Sequence, residues 1–189
     1  MAIVLASGSP RRRELLSMIG IGDFRTIADE SHELMPKGLD PEQTVCEIAI
    51  AKAINVSRLC DRCDNIIAAD TLVYLDGRPL GKPDGPDEAA EMLKSLSGRM
   101  HAVYTGLALL RGGKHVACAE MTRVYFREIS EAEISAYVRT GEPMDKAGAY
   151  GAQGRGAVFI ERIEGDFFNV MGLPLCLLSK MLKDFGVDI

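Results

Sequence analysis

A short apolar run, Ile66-Ile67-Ala68-Ala69, is the feature that most limits what this chain can fold into. No polar residue alternates with the apolar ones, which is typical of a strand buried on both faces of its sheet. Strand and helix signals interleave along the rest of the chain, with at least two hairpins among them. This pattern predicts an α/β fold with a mixed sheet.

Three helix starts carry specific capping signals. Ser9 followed by Pro10 suits an N-cap and a first helical position. Capping boxes follow at Asp40 and, as Ser-x-x-Glu, at Ser130. The predicted helices cover residues 9–19, 40–57, 87–96, 130–141 and 173–186. The predicted strands cover residues 3–6, 65–69, 71–75, 78–82, 102–110, 114–126 and 157–163.

Length and charge set further bounds. The 189 residues are enough for one sizeable core, and we expect a single domain over residues 1–189 with two lobes. A net charge of −5 argues against a general nucleic-acid-binding surface. No apolar window is long enough to span a membrane. Because the N-terminal charges follow the apolar run, opposite to the order in a secretory signal, we expect a cytoplasmic protein.

The cysteines do not predict a special site. Their odd number argues against a disulfide framework. Cys60 and Cys63 form a lone CxxC pair, for which a polar loop after a helix is favoured over a zinc or redox role. The five cysteines are Cys46, Cys60, Cys63, Cys118 and Cys176.

Three arginines follow Pro10 in the first turn of the first predicted helix. Cations are disfavoured there by about 0.3–1 kcal/mol each, because this end of the helix dipole is positive. A helix N-terminus is itself a site for anions. The segment "SGSPRRRELL" therefore indicates that an anion is bound at this helix end.

Lys52 lies in the middle of an apolar stripe on the second predicted helix. A lysine in such a position extends to solvent, loses its charge or meets an anion. Ile50 and Ile54 on the opposite side leave open which face is buried. The stripe is made of residues at helical spacing, Val45, Ile48, Ala49 and Val56.

Asp70 directly follows the apolar run. At the carboxyl end of a strand, where open α/β sheets bind ligands, an acid serves as a metal ligand or base, or it is only a turn residue. Asp76-Gly77 predicts a hairpin, and counting outward from this turn pairs Thr71 with Lys82. Lys82 would then return beside Asp70, although an ordinary cross-strand ion pair is the alternative.

A glycine-rich segment, "GAYGAQGRG", covers residues 148–156. It is not a dinucleotide-binding loop, because a strand and not a helix follows it. The segment "GRPLGKP" is not a P-loop either, since Pro83 stands where Ser or Thr is required. The glycine loop either brings backbone close to a ligand or is a plain surface loop.

Together, the arginines, Lys52 and Lys82 are cations in unfavourable positions, and Asp70 and Glu33 are acids that could hold a divalent ion. Cations, a helix N-terminus and a metal-binding acid are typical of a polyphosphate site. The corresponding reaction class is phosphoryl or nucleotidyl transfer, in which positioning and charge neutralisation supply most of the catalysis.

Six segments in the same order resemble the Maf family of nucleoside triphosphate pyrophosphatases. They are "LASGSPRRRELL", "AKA", "AADTLVYLDGRPLGKP", "LSGRMHAVYTGLAL", "GEPMDKAGAYGAQGRGAVFIERIEG" and "NVMGLPL". The resemblance implies an elongated mixed sheet flanked by helices, with two lobes around a central cleft, related to inosine triphosphate pyrophosphatases. It also implies hydrolysis of a nucleoside triphosphate to monophosphate and pyrophosphate with a divalent cation, Mg²⁺ or Mn²⁺.

The resemblance also assigns roles to residues. Asp70 is the proton acceptor for the attacking water, and Glu33 with Asp70 holds the metal. The family usually has Asp before this Glu, whereas this chain has His32. The residues implied to bind the triphosphate are Ser7, Arg12, Lys52 and Lys82, and Lys52 and Lys82 would also be catalytic.

Three positions separate the branches of the family. Arg11, Thr71 and Gln153 match the branch acting on dTTP and UTP, whereas the 7-methyl-GTP branch has Trp, Gln and Glu there. The amide of Gln153 can both donate to and accept from a pyrimidine edge. The implied role is removal of unwanted nucleotides, including modified pyrimidines, before they enter nucleic acids.

Two alternatives remain open: a 7-methyl-GTP enzyme, and a nucleotide-binding regulator of septum formation that acts without turnover. The family has a link to cell division. A homodimer is compatible with the sequence, although no exposed apolar stripe indicates one.

Overall fold

A mixed seven-stranded sheet forms the framework of the protein, which is described by a computed structural model over residues 1–29, 31, 35–36 and 38–187. The strands are β1 (Ile3–Leu5), β2 (Phe24–Thr26), β3 (Asn65–Leu75), β4 (Arg78–Leu80), β5 (Met100–Arg111), β6 (Lys114–Phe126) and β7 (Ile160–Glu164). Their order is β2-β1-β3-β5-β6-β7, with β4 paired to β3. β1 runs parallel to β2 and β3, whereas β4 and β7 pair antiparallel with β3 and β6, so the predicted mixed α/β class is confirmed.

The helices are α1 (Pro10–Met18), α2 (Pro41–Ser57), α3 (Pro86–Leu96), α4 (Glu131–Val138), α5 (Phe167–Met171) and α6 (Leu175–Asp184). Short 3₁₀ turns cover Glu142–Asp145, Ala147–Ala149 and Arg155–Phe159. Ser9, Asp40 and Ser130 cap α1, α2 and α4 as predicted, the last two in complete capping boxes. In the described part of the chain, no helix has the length and apolar character needed to cross a bilayer.

The chain divides into two compact units. The first unit comprises residues 1–70, 105–120 and 172–189, and the second comprises residues 71–104 and 121–171. In the first unit, small apolar residues of α2 pack on one face of β1, β3 and β5. In the second unit, α3 and α4 pack together over a core that includes Phe126, Tyr137, Tyr150 and Phe159.

The hairpin predicted at Asp76-Gly77 is present. Both turn residues have positive φ, 51° and 76°, as a two-residue turn of this type requires, and Leu75 pairs with Arg78. The predicted pairing of Thr71 with Lys82 is wrong, however, because β4 ends at Leu80. Beyond that point the Gly81 carbonyl accepts a hydrogen bond from the Gly148 N–H at 3.0 Å, so the chain turns toward the glycine-rich segment.

The position predicted for Asp70, at the carboxyl end of a strand, is also wrong. β3 continues for five residues past Asp70 to Leu75, because its far end is held in register by β4. The strand predicted over residues 157–163 begins only at Ile160, after the turn at Arg155–Phe159. The sequence did not predict β2 or α5, which have three and five residues.

Candidate active site

Ser7 and Arg12 come together at the N-terminus of α1. The buried Ser7 hydroxyl accepts hydrogen bonds from the Ser9 N–H at 3.2 Å and from Arg12 Nη1 at 3.3 Å. Arg12 Nε donates to the Gly172 carbonyl at 2.8 Å. The Arg12 guanidinium is therefore fixed at the N-terminus of α1, where the positive end of the helix dipole favours a phosphate.

Lys52 of α2 forms an ion pair, so of the three alternatives predicted for it, contact with an anion is the one observed. Its Nζ lies 2.7 Å from Asp70 Oδ1, and the two side chains are only 12% and 7% exposed. Even-numbered residues of β3, Ile66 and Ala68, pack against α2, and Asp70 follows them on the same face. Lys52 and Asp70, which stood out separately in the sequence, thus form one buried ion pair in the first unit.

The second carboxylate oxygen of Asp70, Oδ2, determines which chemistry the ion pair can support. Oδ2 is buried and has no hydrogen-bond partner in the part of the chain that the structure describes. Burying a carboxylate oxygen without a hydrogen-bond partner costs free energy. A ligand that supplies a proton donor or a cation would remove that cost. With Oδ1 held by Lys52, Oδ2 can accept a proton from water or coordinate a cation.

Other predicted site residues belong to the second unit. Thr71 follows Asp70 directly and is half-buried. Lys82 and Gln153 are exposed, Lys82 after β4 and Gln153 in the glycine-rich segment. The structure brings together Ser7 with Arg12 and Lys52 with Asp70. The roles given to the predicted site residues of both units stay predictions.

Arg11 lies half-buried in the first turn of α1, and Glu33 lies outside the described residues. Among the described residues, no three or more His, Cys, Asp or Glu side chains lie together in a group that could hold a metal ion. The five cysteines are free thiols.

Sequence reasoning missed two parts of this arrangement. The Gly172 carbonyl that holds Arg12 is a backbone group 160 residues away, for which the sequence carries no local signal. Glu142 and Tyr137 anchor the glycine-rich segment through backbone hydrogen bonds. The available signal was a glutamate directly after Gly141, the predicted end of a helix, and shortly before a glycine-rich stretch.

Comparison with known proteins agrees with this fold. A HAM1 protein from Coxiella burnetii superimposes with a TM-score of 0.52 at 19% identity, over 97% of this chain and 100% of that chain. The chain thus shares the α/β fold of that protein. The family model described as Maf-like protein matches residues 2–185, and the chain belongs to the Maf-like family.

Curated relatives match almost the whole chain. A dTTP/UTP pyrophosphatase from Moorella thermoacetica is 50% identical over 191 residues, which cover 99% of this chain and 96% of the relative. A dTTP/UTP pyrophosphatase from Bacillus cereus strain AH820 is 45% identical over 188 residues, with 99% and 97% covered.

Proposed function

We propose that this chain hydrolyses dTTP and UTP to the nucleoside monophosphate and pyrophosphate. Family membership and the relatives at 45–50% identity that are named dTTP/UTP pyrophosphatases support the activity. The single structural observation that carries the proposal is the buried Asp70 carboxylate, held at Oδ1 by Lys52 and without a partner at Oδ2.

In the proposed reaction, water attacks the α-phosphorus and pyrophosphate leaves. Asp70 Oδ2 accepts the proton of the attacking water, while Lys52 holds the carboxylate in one orientation through Oδ1. Ser7 and Arg12 bind phosphate oxygens, and the positive N-terminal end of the α1 dipole attracts them. Lys82 is proposed to bind the phosphates as well, and positive charge around them stabilises the transition state.

A divalent cation, Mg²⁺ or Mn²⁺, fits the donors present in this chain. Mg²⁺ commonly takes one or two carboxylates and completes its coordination with water and substrate phosphates. Asp70 Oδ2, buried and without a partner in the described structure, is a suitable carboxylate oxygen, and Glu33 is the second proposed ligand. When bound, such an ion would neutralise charge on the phosphate oxygens.

Base choice is assigned to Arg11, Thr71 and Gln153. All three are the residues expected of a dTTP/UTP enzyme, and none is the Trp, Gln or Glu expected of a 7-methyl-GTP enzyme. The exposed Gln153 amide has both a donor and an acceptor to offer a uracil or thymine edge.

The direct test is an assay of the purified protein with Mg²⁺ or Mn²⁺ and a nucleotide panel of UTP, dTTP, CTP, GTP and 7-methyl-GTP. We expect UTP and dTTP to be cleaved fastest, with pyrophosphate as the first product. Preferential cleavage of 7-methyl-GTP would overturn the substrate assignment. Orthophosphate as the first product would overturn the mechanism, and nucleotide binding without any turnover would favour the regulator.

Replacing Asp70 by Asn tests its role as proton acceptor. The amide is close in shape but cannot take the proton, so we expect kcat to fall by about 10²-fold or more. Nucleotide binding, measured by calorimetry, should persist. Asp23→Asn, at an exposed position in the same unit, is the matched control and should keep wild-type turnover. Near-normal turnover of Asp70→Asn would remove Asp70 as the base.

A further inference from the structure

The glycine-rich segment of the second unit is folded around the carboxylate of Glu142. Oε2 accepts a hydrogen bond from the Arg155 N–H at 3.0 Å, and Oε1 accepts one from the Gly156 N–H at 3.1 Å. Glu142 begins the turn at Glu142–Asp145, directly after Gly141, which has a φ of 73°. One half-buried carboxylate therefore holds the C-terminal end of the segment.

Tyr137 of α4 holds the segment nearer its middle, at Gly151. Its hydroxyl donates to Glu142 Oε1 at 2.9 Å and accepts from the Gly151 N–H at 3.1 Å. The ring is only 4% exposed and packs edge-on against Phe159 at 5.1 Å between centroids. The phenol thus links the Glu142 carboxylate to Gly151, and its position is fixed by core packing.

The two anchors explain two of the four glycines of this segment, Gly154 and Gly156. A Cβ on Gly154, whose φ is 120°, would lie 2.8 Å from Glu142 Oε1. A Cβ on Gly156 would lie 2.7 Å from the Tyr137 hydroxyl and 2.8 Å from the Gly151 carbonyl oxygen. The backbone can wrap around the carboxylate only because these positions have no side chain. Gln153 lies between the anchored residues Gly151 and Arg155, with its own side chain exposed.

The hydrogen bonds to Glu142 also change its pKa. Burial opposes the charged form, but the N–H groups of Arg155 and Gly156 and the Tyr137 hydroxyl stabilise it, so the net effect lowers the pKa of Glu142. The carboxylate is therefore ionised at neutral pH, and hydrogen bonds to a charged acceptor are stronger than those between neutral groups.

We infer that Glu142, together with Tyr137, is a positioning residue that holds Gln153 in place to select the nucleotide base. This inference rests on the proposed function, in which Gln153 faces the base. Glu142 makes no contact with substrate in this assignment. It acts by fixing the backbone on both sides of Gln153, so that the side-chain amide has one orientation toward the base. Because the loop is already ordered, less conformational entropy is lost when the nucleotide binds.

Two conservative variants test the inference. In Glu142→Gln one carboxylate oxygen becomes an NH₂ group, so at least one of the loop N–H groups loses its acceptor. In Tyr137→Phe the ring stays but both hydroxyl hydrogen bonds are lost. The measured quantity is the ratio of kcat/KM for UTP to that for CTP, whose ring has the same size but exchanged donors and acceptors.

We expect this ratio to fall about 10-fold in each variant, the equivalent of about 1.4 kcal/mol. The loss should appear mainly as a higher KM for UTP, with kcat within about twofold of wild type, because the variants leave Asp70 and Lys52 unchanged. In a Gln153→Ala background, Glu142→Gln should produce no further change, because no amide remains to be positioned.

The second unit supplies a matched control pair. The Tyr125 hydroxyl donates to Glu164 Oε2 at 2.9 Å between β6 and β7, away from the glycine-rich segment. Tyr125→Phe and Glu164→Gln should keep the wild-type UTP/CTP ratio. Thermal unfolding of all variants shows whether each is folded. If Glu142→Gln does not fold, Tyr137→Phe alone is used to test the inference.

The outcomes separate this inference from the proposed function. If the wild type prefers UTP and Gln153→Ala loses that preference, but folded Glu142→Gln and Tyr137→Phe keep it, the positioning role is wrong and the function stands. An equal loss in the control pair would also overturn it, since the effect would then be general. A wild type without a preference for UTP over CTP overturns both.

Discussion

His101 is buried beside two aromatic rings in the second unit. It is 1% exposed, its Nε2 lies 2.7 Å from the Tyr150 hydroxyl, and its ring packs edge-on against Phe126 at 4.9 Å between centroids. Nδ1 has no hydrogen-bond partner within the described residues. Burial lowers the pKa of His101 from 6.5 to about 4, because no nearby group compensates for the lost hydration of the imidazolium.

The shifted pKa predicts a loss of stability in mild acid. The unfolded chain binds a proton at this histidine below pH 6.5, whereas the folded protein binds it only near pH 4. The unfolded state thus holds more protons in that window, and stability falls as the pH is lowered through it. From pH 7 to pH 5 we expect His101 to reduce the free energy of unfolding by about 2 kcal/mol.

Urea unfolding of the wild type and of His101→Phe at several pH values checks this prediction. The variant keeps the ring packing but leaves the Tyr150 hydroxyl without this partner, a cost of about 1–3 kcal/mol that does not depend on pH. The difference between the two proteins should therefore shrink as the pH falls. If the free energies of unfolding of the two proteins changed equally with pH, His101 would not be the cause of the loss of stability in acid.

At the scale of elements, the close approach of α2 to β5 controls where Lys52 lies. Gly106 of β5 faces the helix, and a Cβ there would lie 2.3 Å from the Val45 carbonyl oxygen and 2.7 Å from the Cys46 nitrogen. These are backbone atoms, so the helix itself would have to move. The absence of a side chain at Gly106 is what allows α2 to pack so near the sheet.

Gly106→Ala is therefore expected to destabilise the protein by at least about 2 kcal/mol, as overpacking of a well-packed core does. It should also lower kcat, because a displaced α2 carries Lys52 away from Asp70. Gly22→Ala is the control: a Cβ there would meet nothing within 4 Å. Urea unfolding and UTP turnover measure both effects, and a variant with wild-type stability would contradict this account of the packing.

The elements that sequence reasoning found are those with local signals. Caps at Ser9, Asp40 and Ser130 define helix starts within a few residues, because the capping side chain bonds to the backbone three residues on. β2 has no such signal, since a three-residue strand is defined by its partner β1. The predicted runs 65–69 and 71–75 are one strand, β3, and their union through Asp70 had no local signal either. An acid in a buried strand is tolerated here because Lys52 pairs with it.

At the scale of the whole molecule, the residues of the candidate site were predictable but their pairing was not. Lys52 and Asp70 each stood out because their charge conflicted with a local apolar pattern. That conflict is a property of the sequence, whereas the 2.7 Å contact between them depends on how α2 lies on the sheet. The contact of Arg12 with Gly172 depends likewise on chain segments that only the folded state brings together.

A nucleotide that binds only the folded chain must stabilise the molecule against unfolding. For a ligand at 100 times its dissociation constant this gain is about 2.7 kcal/mol. The proposed function predicts such a gain for Asp70→Asn with Mg²⁺ and UTP, a combination in which binding persists while turnover is slow. CTP at the same concentration should give a smaller gain.

The two neighbouring arginines of α1 make this measurement specific. Arg12, held by Ser7 and Gly172, is proposed to bind phosphate, whereas Arg13 is exposed and has no assigned role. In the Asp70→Asn background, Arg12→Ala should abolish most of the UTP-dependent gain and Arg13→Ala should retain it. Because each gain is the difference between the same variant with and without UTP, any change in basal stability cancels. Equal gains in the two variants would remove Arg12 from the phosphate site.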